Sequence, residues 1–437
     1  MSIAYVLMVL LHMATENVIQ SEILNFSQVP YVYAQDISKF TGLVNRAQNE
    51  TIRLAMFGDS QETSIGGAGS IYVPRLNYEG WKVFGNVPET FVASYGSYGA
   101  SGTPYGDWLI TGSRAAPGAS ITRLQNDQIL PGIVVGAHTL NVGNNNINGE
   151  WYGQLVQFRQ NAVGIHPDAS IPTDINYMCT DIHAQVFAAT NISSGNIQYY
   201  TKPYNSTGIG NFFASITNTV VVPMSLTSPV FAIKSAFTPT LGFNGQTYQQ
   251  VELVGDSLNV LTDVVGIRFI SNTCIKGLVI QSFAAGGYKA ASIIEKHANA
   301  GEMFKAFNFH GALLHFGAND GSLGISANDH KIQVLALIVK IREWMGDNTF
   351  PIILVSDPYR DRLTDTQQKE FDKYPGVYYI IAQKDANIAV LNSRRLMEDI
   401  GWKRDGSSSI YLADGVHYTP VGAKVLAEAE MRKLTGQ

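Results

Sequence analysis

Four short segments of this chain hold the residue types that acyl transfer through a serine requires. Gly58-Asp59-Ser60-Gln61 offers a hydroxyl, which is a weak nucleophile until a neighbouring base takes its proton. Asp414-Gly415-Val416-His417 offers an imidazole, whose pKa near neutrality suits a general base. A carboxylate on the other ring nitrogen fixes the tautomer and stabilises the imidazolium, and Asp414 lies close enough along one loop to serve. The oxyanion formed by attack needs preorganised donors. Gly286-Gly287 and Gly317-Ala318-Asn319-Asp320 can supply them: the Ser60 and Gly287 backbone N–H groups and the Asn319 amide.

These segments need a scaffold that brings them together. Near-continuous apolar runs at Ile52 to Phe57, Leu278 to Ser282, Ala312 to Phe316, Pro351 to Ser356 and Val377 to Ile381 read as buried parallel strands. Helical patterns cover Ile71 to Phe84, Tyr288 to Phe307, Asp329 to Met345, Ala386 to Ile400 and Pro420 to Leu434. The last opens on Thr419-Pro420, a helix-start signal. The expected core is α/β: five parallel strands in a three-layer α/β/α sandwich, with the four segments at or near strand ends, where open sheets place their sites. Between about Ala100 and Asn272 the pattern changes to short β-prone runs: Gly132 to Val135, Gln185 to Ala188, Asn218 to Val222, Val230 to Ile233 and Val264 to Ile270. Turns rich in Gly, Asn, Ser and Pro separate them, as in a β-sandwich or jelly roll.

The four segments resemble, in order, the signature blocks of the SGNH/GDSL hydrolase family: GDS, the oxyanion glycine, GxND and DxxH. The resemblance covers about residues 50–95 and 275–437, roughly half the chain, and says nothing about 100–272. It implies a flavodoxin-like three-layer core and a serine esterase. In that enzyme Ser60 is the nucleophile, His417 the base and Asp414 its orienter, with Ser60, Gly287 and Asn319 forming the oxyanion hole. No cofactor is implied. Two departures stand out: Gln61 where many members carry Leu, and a large β insertion between the first and second blocks. The domain organisation read from this is a leader or docking segment over 1–50, a discontinuous core over 51–99 and 275–437, and an inserted β-sandwich over 100–274. Insertions of this kind resemble those of carbohydrate esterases, so an O-acetylated polysaccharide is the expected substrate and partner. Two other readings use the same sequence. One is a virion or cell-surface glycan-binding or structural protein with an accessory SGNH domain. The other is an SGNH acyltransferase, which shields the acyl-enzyme from water.

A rival nucleophile sits at Gly255-Asp256-Ser257-Leu258, a closer match to the literal GDSL string. Against Ser257, the stretch Leu258 to Ser271 alternates and is β-branched, whereas a helix should follow the nucleophile. Other residues have plainer readings. Asn319-Asp320 could cap a helix, Gly286-Gly287 could form a tight turn, and His315, in mid-strand, reads as a satisfied core histidine. His183 with Asp181 is too sparse for zinc. Tyr105, Trp108, Trp151, Tyr199 and Tyr200 could stack on sugars or line the sandwich. No Gly-x-Ser-x-Gly elbow, Walker loop, complete dinucleotide fingerprint or HExxH occurs.

Composition narrows the setting. With 45% hydrophobic residues and mean hydropathy near zero, the chain can bury a sizeable core. A net charge of −5 and no Lys/Arg cluster longer than a pair argue against nucleic acid. Only 15% of residues are charged, while Gly and Asn-rich turns abound, which suits an extracellular, cell-surface or virion-associated protein. Cys179 and Cys274 could pair, and neither lies in a CxxC. Ile3 to Met13 is apolar, but no Lys or Arg precedes Lys39 and the run is too short to span a bilayer. It is expected to be a docking helix, against this chain or a neighbouring copy, with no integral membrane span.

Overall fold

The computed structural model describes residues 34–35, 37–62, 72–85, 275–284, 287–297, 301–358, 360, 363–401, 411–412 and 415–437. It also gives the backbone of the strands between residues 89 and 271. Apolar runs form β1 (Thr51–Gly58), β2 (Gly277–Ser282), β3 (Gly311–His315), β4 (Ile352–Val355) and β5 (Ile388–Leu391). All five are parallel, in the order β2-β1-β3-β4-β5, and Ala34–Gln35 adds antiparallel at the β5 edge.

Side chains alternate across a strand, so each strand feeds two cores. Ile52, Leu54 and Met56 of β1 enter one; Ala55 and Phe57 enter the other. The first core is closed by α1 (Ile37–Asn45) and α2 (Tyr72–Phe84), through Phe40, Val44, Tyr72 and Leu76. The second is closed by α3 (Ala290–His297) and α4 (Gly301–Phe307), through Ile293 and Phe304. Further along the chain come α5 (Ala318–Ser322), α6 (Ala327–Met345), α7 (Asp365–Phe371) and α8 (Tyr374–Lys384). Of these, α6 and α8 add Leu337, Ile341, Val377 and Ile381 to the second core. Finally α9 (Ser393–Asp399) and α10 (Pro420–Thr435) return to the first, with Leu396, Met397, Leu426 and Leu434. The expected α/β/α layering is present.

Three assignments made from the sequence change. Val377 to Ile381 is not a strand but the middle of α8. Pro375 fits a first helical turn. The helix is buried on every side, from Val377 at 0% exposed to Ile380 at 6%. Without a polar stripe its 3.6-residue period is invisible, and a short apolar run then looks like a buried strand. The fifth strand is instead Ile388–Leu391, inside the stretch read as a helix over Ala386 to Ile400. There the Asp385 carboxylate accepts from the Asn387 N–H at 2.9 Å, and the Asn392 side chain caps α9 from the Arg395 N–H. Only 393–399 is therefore helical. Tyr288 to Phe307, read as one helix, is two, α3 and α4.

Between α2 and β2 the described strands form two antiparallel sheets. One orders 218–223, 196–205, 247–255, 150–153 and 114–115; the other orders 232–237, 182–189, 261–271, 138–141 and 120–123. Glu89–Ala93 pairs with the 261–271 strand. The β-prone runs at Gln185, Asn218 and Val264 fall on these strands, as does the Ala232–Ile233 half of the run from Val230. Val230, Phe231 and Gly132 to Val135 lie outside the described residues. Also outside are the apolar N-terminal run, Cys179, Cys274, Tyr105 and Trp108. Among the described residues, no helix is long and apolar enough to cross a membrane, and no group of His, Cys, Asp and Glu could hold a metal ion.

Candidate active site

At the carboxyl end of β1 the chain turns through Gly58-Asp59-Ser60. The Asp59 carboxylate accepts from the Gln61 N–H at 2.9 Å, closing an Asx turn. The Glu62 carboxylate comes back to accept from the Asp59 N–H, also at 2.9 Å. A Cβ on Gly58 would lie 2.1 Å from Glu62 Oε2, so only glycine admits that carboxylate. Asp59, Gln61 and Glu62 are buried, while Ser60 keeps partial exposure. The turn is pinned from below with its hydroxyl at the surface.

His417 reaches this turn from the loop before α10. Its Nε2 lies 2.8 Å from Ser60 Oγ. The loop is closed by a bridge between Leu412 and Tyr418, by the Thr419 N–H donating to Tyr411 O at 2.7 Å, and by Thr419 capping α10 from the Gly422 N–H. Gly415, at φ +78°, takes the left-handed conformation that the turn needs. Gln61 clamps the loop on both sides of His417: its Nε2 donates to Val416 O, and its Oε1 accepts from the Tyr418 N–H at 3.2 Å.

The third segment lies beyond β3. Gly317, at φ +146°, turns the chain into α5, which carries Asn319. The Asn319 amide donates to Tyr288 O and to Asp59 Oδ2, each at 3.0 Å. Gly287, just before Tyr288, is exposed at φ +80° with open space where a Cβ would stand. One amide therefore ties the Ser60 turn, the Gly287 segment and α5 together. Both of its hydrogens have acceptors, so a substrate oxygen can use it only by sharing or displacing one of them.

Ser60, His417, Asn319 and Gly287 are thus joined through direct or adjacent-residue contacts at the strand ends. Asp414, Gly286 and Ser257 lie outside the described residues. The strand after Ser257, 261–271, is antiparallel on both flanks, as expected for a stretch that is not a post-nucleophile helix. Trp151, Tyr199 and Tyr200 all fall on strands of one antiparallel sheet, 150–153 and 196–205.

The sequence did not single out Gln61 as a clamp, nor Glu62 and Asp357 as site-supporting groups. Two signals were there to read. Glu62 is a charge directly behind the serine in a buried turn, and Asp357 follows β4 at the sheet end where such sites sit. His315, expected as a satisfied core histidine, is fully buried between them, with Nδ1 2.7 Å from Glu62 Oε1 and Nε2 3.0 Å from Asp357 Oδ1. Burial works against its charge, but the Glu62 and Asp357 carboxylates outweigh that and hold its pKa well above the usual imidazole value. Asp59 is raised well above the carboxylate range by burial, then by the neighbouring Asp357 and Glu62 charges. Asp320 lies on the far side of α5, 3.2 Å from His330 Nδ1, and His330 Nε2 meets Tyr378 OH at 3.0 Å.

No protein-family model matches the chain, and no curated protein matches it. Solved structures do. A peptidoglycan O-acetylesterase is similar over 93% of this chain and 99% of its own, with a TM-score of 0.57 and 13% identity. The acetylxylan esterase Axe2 from Geobacillus stearothermophilus is similar over 36% of this chain and 73% of its own, with a TM-score of 0.30 and 17% identity. The salicylyl-acyltransferase SsfX3 from a tetracycline biosynthetic pathway matches over 59% and 80%, with a TM-score of 0.30 and 15% identity. The parallel sheet in the order β2-β1-β3-β4-β5, its two helical layers and the signature segments at its strand ends give this chain the SGNH/GDSL hydrolase fold.

Proposed function

We propose that the chain is a serine esterase that removes small acyl groups, O-acetyl first among them, from a polysaccharide. The observation that carries this is the 2.8 Å approach of His417 Nε2 to Ser60 Oγ on a turn anchored from beneath. His417 takes the hydroxyl proton as Ser60 Oγ attacks the ester carbonyl. The oxyanion is met by the Ser60 and Gly287 N–H groups and the Asn319 amide. As the intermediate collapses, the C–O bond to the sugar breaks and His417 returns the proton to the leaving alcohol. Water, deprotonated by the same imidazole, then releases the acid from Ser60. Asp414 orients His417 in this reading, a role carried by the family resemblance. No cofactor is required.

The polysaccharide is supported by the fold likeness to a peptidoglycan O-acetylesterase, which spans 93% of the chain and so takes in most of the β insertion. We read residues 100–274 as a β-sandwich set into a core of 51–99 and 275–437. Such a substrate places the protein outside a cell or on a virion, where the N-terminal segment could dock it into an assembly.

The test is p-nitrophenyl acetate turnover by wild type, Ser60→Ala and Ser257→Ala, followed by acetate release from O-acetylated glycans with and without an acceptor sugar. Loss of activity in Ser60→Ala alone, at unchanged melting temperature, is the expected outcome. Loss in Ser257→Ala alone moves the nucleophile. Acyl transfer to the acceptor in place of free acetate makes the enzyme a transferase.

A further inference from the structure

Behind Ser60 lies a closed loop of polar contacts whose centre takes no part in the chemistry just proposed. It starts at the Asp59 N–H, which donates to Glu62 Oε2 at 2.9 Å. Glu62 Oε1 lies 2.7 Å from His315 Nδ1, and His315 Nε2 lies 3.0 Å from Asp357 Oδ1. Asp357 Oδ2 accepts from the Ala318 N–H. The next residue, Asn319, donates from Nδ2 to Asp59 Oδ2 at 3.0 Å and so closes the loop. The two ends of the carboxylate–imidazole–carboxylate bridge therefore fall on backbone N–H groups one residue before Ser60 and one residue before Asn319.

We propose that His315 is a positioning residue: its ring, charged and held between Glu62 and Asp357, fixes the nucleophile turn and the oxyanion segment at their working separation. This rests on the esterase reading of Ser60 and deepens it.

Three observations carry the inference. The first is composition. Buried ion pairs can often be replaced by packed apolar residues at no loss, so three ionisable groups at 0%, 0% and 5% exposure are poorly explained by stability alone. The second is steric. Each end of the bridge is admitted by a glycine: a Cβ on Gly317 would lie 2.9 Å from Asp357 Oδ2, as one on Gly58 would lie 2.1 Å from Glu62 Oε2. The third is the protons. Each ring nitrogen faces a carboxylate oxygen, and each carboxylate spends its other oxygen on a backbone N–H. Two ring N–H groups satisfy that arrangement, and the raised pKa of His315 agrees with it. The groups that face the ring are Glu62 and Asp59 from the Ser60 turn, Asp357 after β4, Tyr72 from α2, edge-on at 5.9 Å, and Glu430 of α10, which feels its charge. Asp59, raised by burial and then by the Asp357 and Glu62 charges, belongs to the same cluster, and its two oxygens accept from the Gln61 N–H and the Asn319 amide.

The experiment uses His315→Gln, which keeps size but loses charge, and Glu62→Gln, which keeps an acceptor for the Asp59 N–H. A fluorophosphonate probe taken to completion counts the competent Ser60 sites, and p-nitrophenyl acetate gives kcat per counted site. Wild type must be labelled at Ser60; if it is not, the esterase reading falls before any variant is made, and this inference with it. In the variants, kcat per site should fall about 10- to 100-fold with KM within about threefold, the usual result of a misplaced catalytic group. An unchanged kcat per site overturns the proposal, even if fewer sites titrate or the protein melts earlier, since a merely structural role predicts that pattern. Should His315→Gln fail to fold, Glu62→Gln carries the same reading. In wild type, 15N-histidine NMR at pH 7 should show both His315 nitrogens protonated; one bare nitrogen overturns the charged bridge.

Discussion

Gln61 does with one side chain what a short strand does with a backbone: it donates to Val416 O and accepts from the Tyr418 N–H, bracketing His417. Gln61→Leu, the residue many family members carry, should strand both backbone groups in a buried setting at about 1–3 kcal/mol of stability. Because the loop then shifts against Ser60, kcat should fall by about tenfold or more with KM unchanged. Steady-state kinetics beside a denaturant melt check both numbers, and a KM-only effect contradicts the clamp. Asn319→Ala should lower kcat by about 10²–10³-fold, the loss of one oxyanion donor, with KM nearly constant. At this scale the sequence yielded Ser60, Gly287, Asn319 and His417 because each belongs to a short motif with its own chemistry. Glu62 and Asp357 were not legible. A buried carboxyl is recognisable only once its partner is known, and His315 stands far along the chain from Glu62.

Elements place these groups, and their tightest junction is where α10 meets the His417 loop. A Cβ on Gly422 would lie 2.2 Å from Tyr411 O, a backbone atom that also accepts from the Thr419 N–H. Gly422→Ala should therefore cost about 1–3 kcal/mol by overpacking, despite alanine's better helix propensity. Its activity should drop because Tyr411 and Leu412 anchor the base-bearing loop. A more stable, fully active variant would show that the junction yields. Strands β1 to β4 and helices α6 and α10 were readable to within a residue or two, because each is flanked by turn or capping residues such as Ser326 and Thr419. The α8–β5 region was not. There a fully buried helix and a four-residue strand share the same apolar alphabet, and only tertiary packing decides between them.

For the whole molecule, the buried ionisable groups set how stability responds to pH. Glu430, buried and accepting from Tyr72 and Ser393, is pushed up to about 6 by burial. A raised carboxyl binds its proton more tightly in the folded state. Its contribution is present below the ordinary carboxylate value and is lost as pH rises through about 6, a cost of about 2 kcal/mol. His315, also raised, acts in the same direction but later, losing its contribution as pH climbs from the ordinary imidazole range toward its own higher value. Exposed Glu50 and Asp347, lowered by Arg46 and by Thr349, oppose this only weakly. Melting temperature should decline from about pH 4.5 to 6 and again on the alkaline side. Asp59 and Glu62, raised as well, share the first decline, so Glu430→Gln should make that slope shallower without removing it. A profile that rises across the first window would contradict the assignment.

The strand order has a consequence for how the molecule comes together in time. β1, which delivers Ser60, has no sequence-local partner. Its hydrogen bonds to the β2 side, such as Thr51 to Ile275, span 224 residues, and those to the β3 side, such as Arg53 to His310, span 257. Contacts so distant in sequence are slow to close. The segment from β3 to α10 is continuous and can assemble from neighbouring elements, leaving a slot beside β3. The nucleophile strand then docks late, and β2, which pairs with β1 at the sheet edge, comes with it or after it. Catalytic competence should therefore appear with the slowest refolding phase, after most of the helical signal has returned.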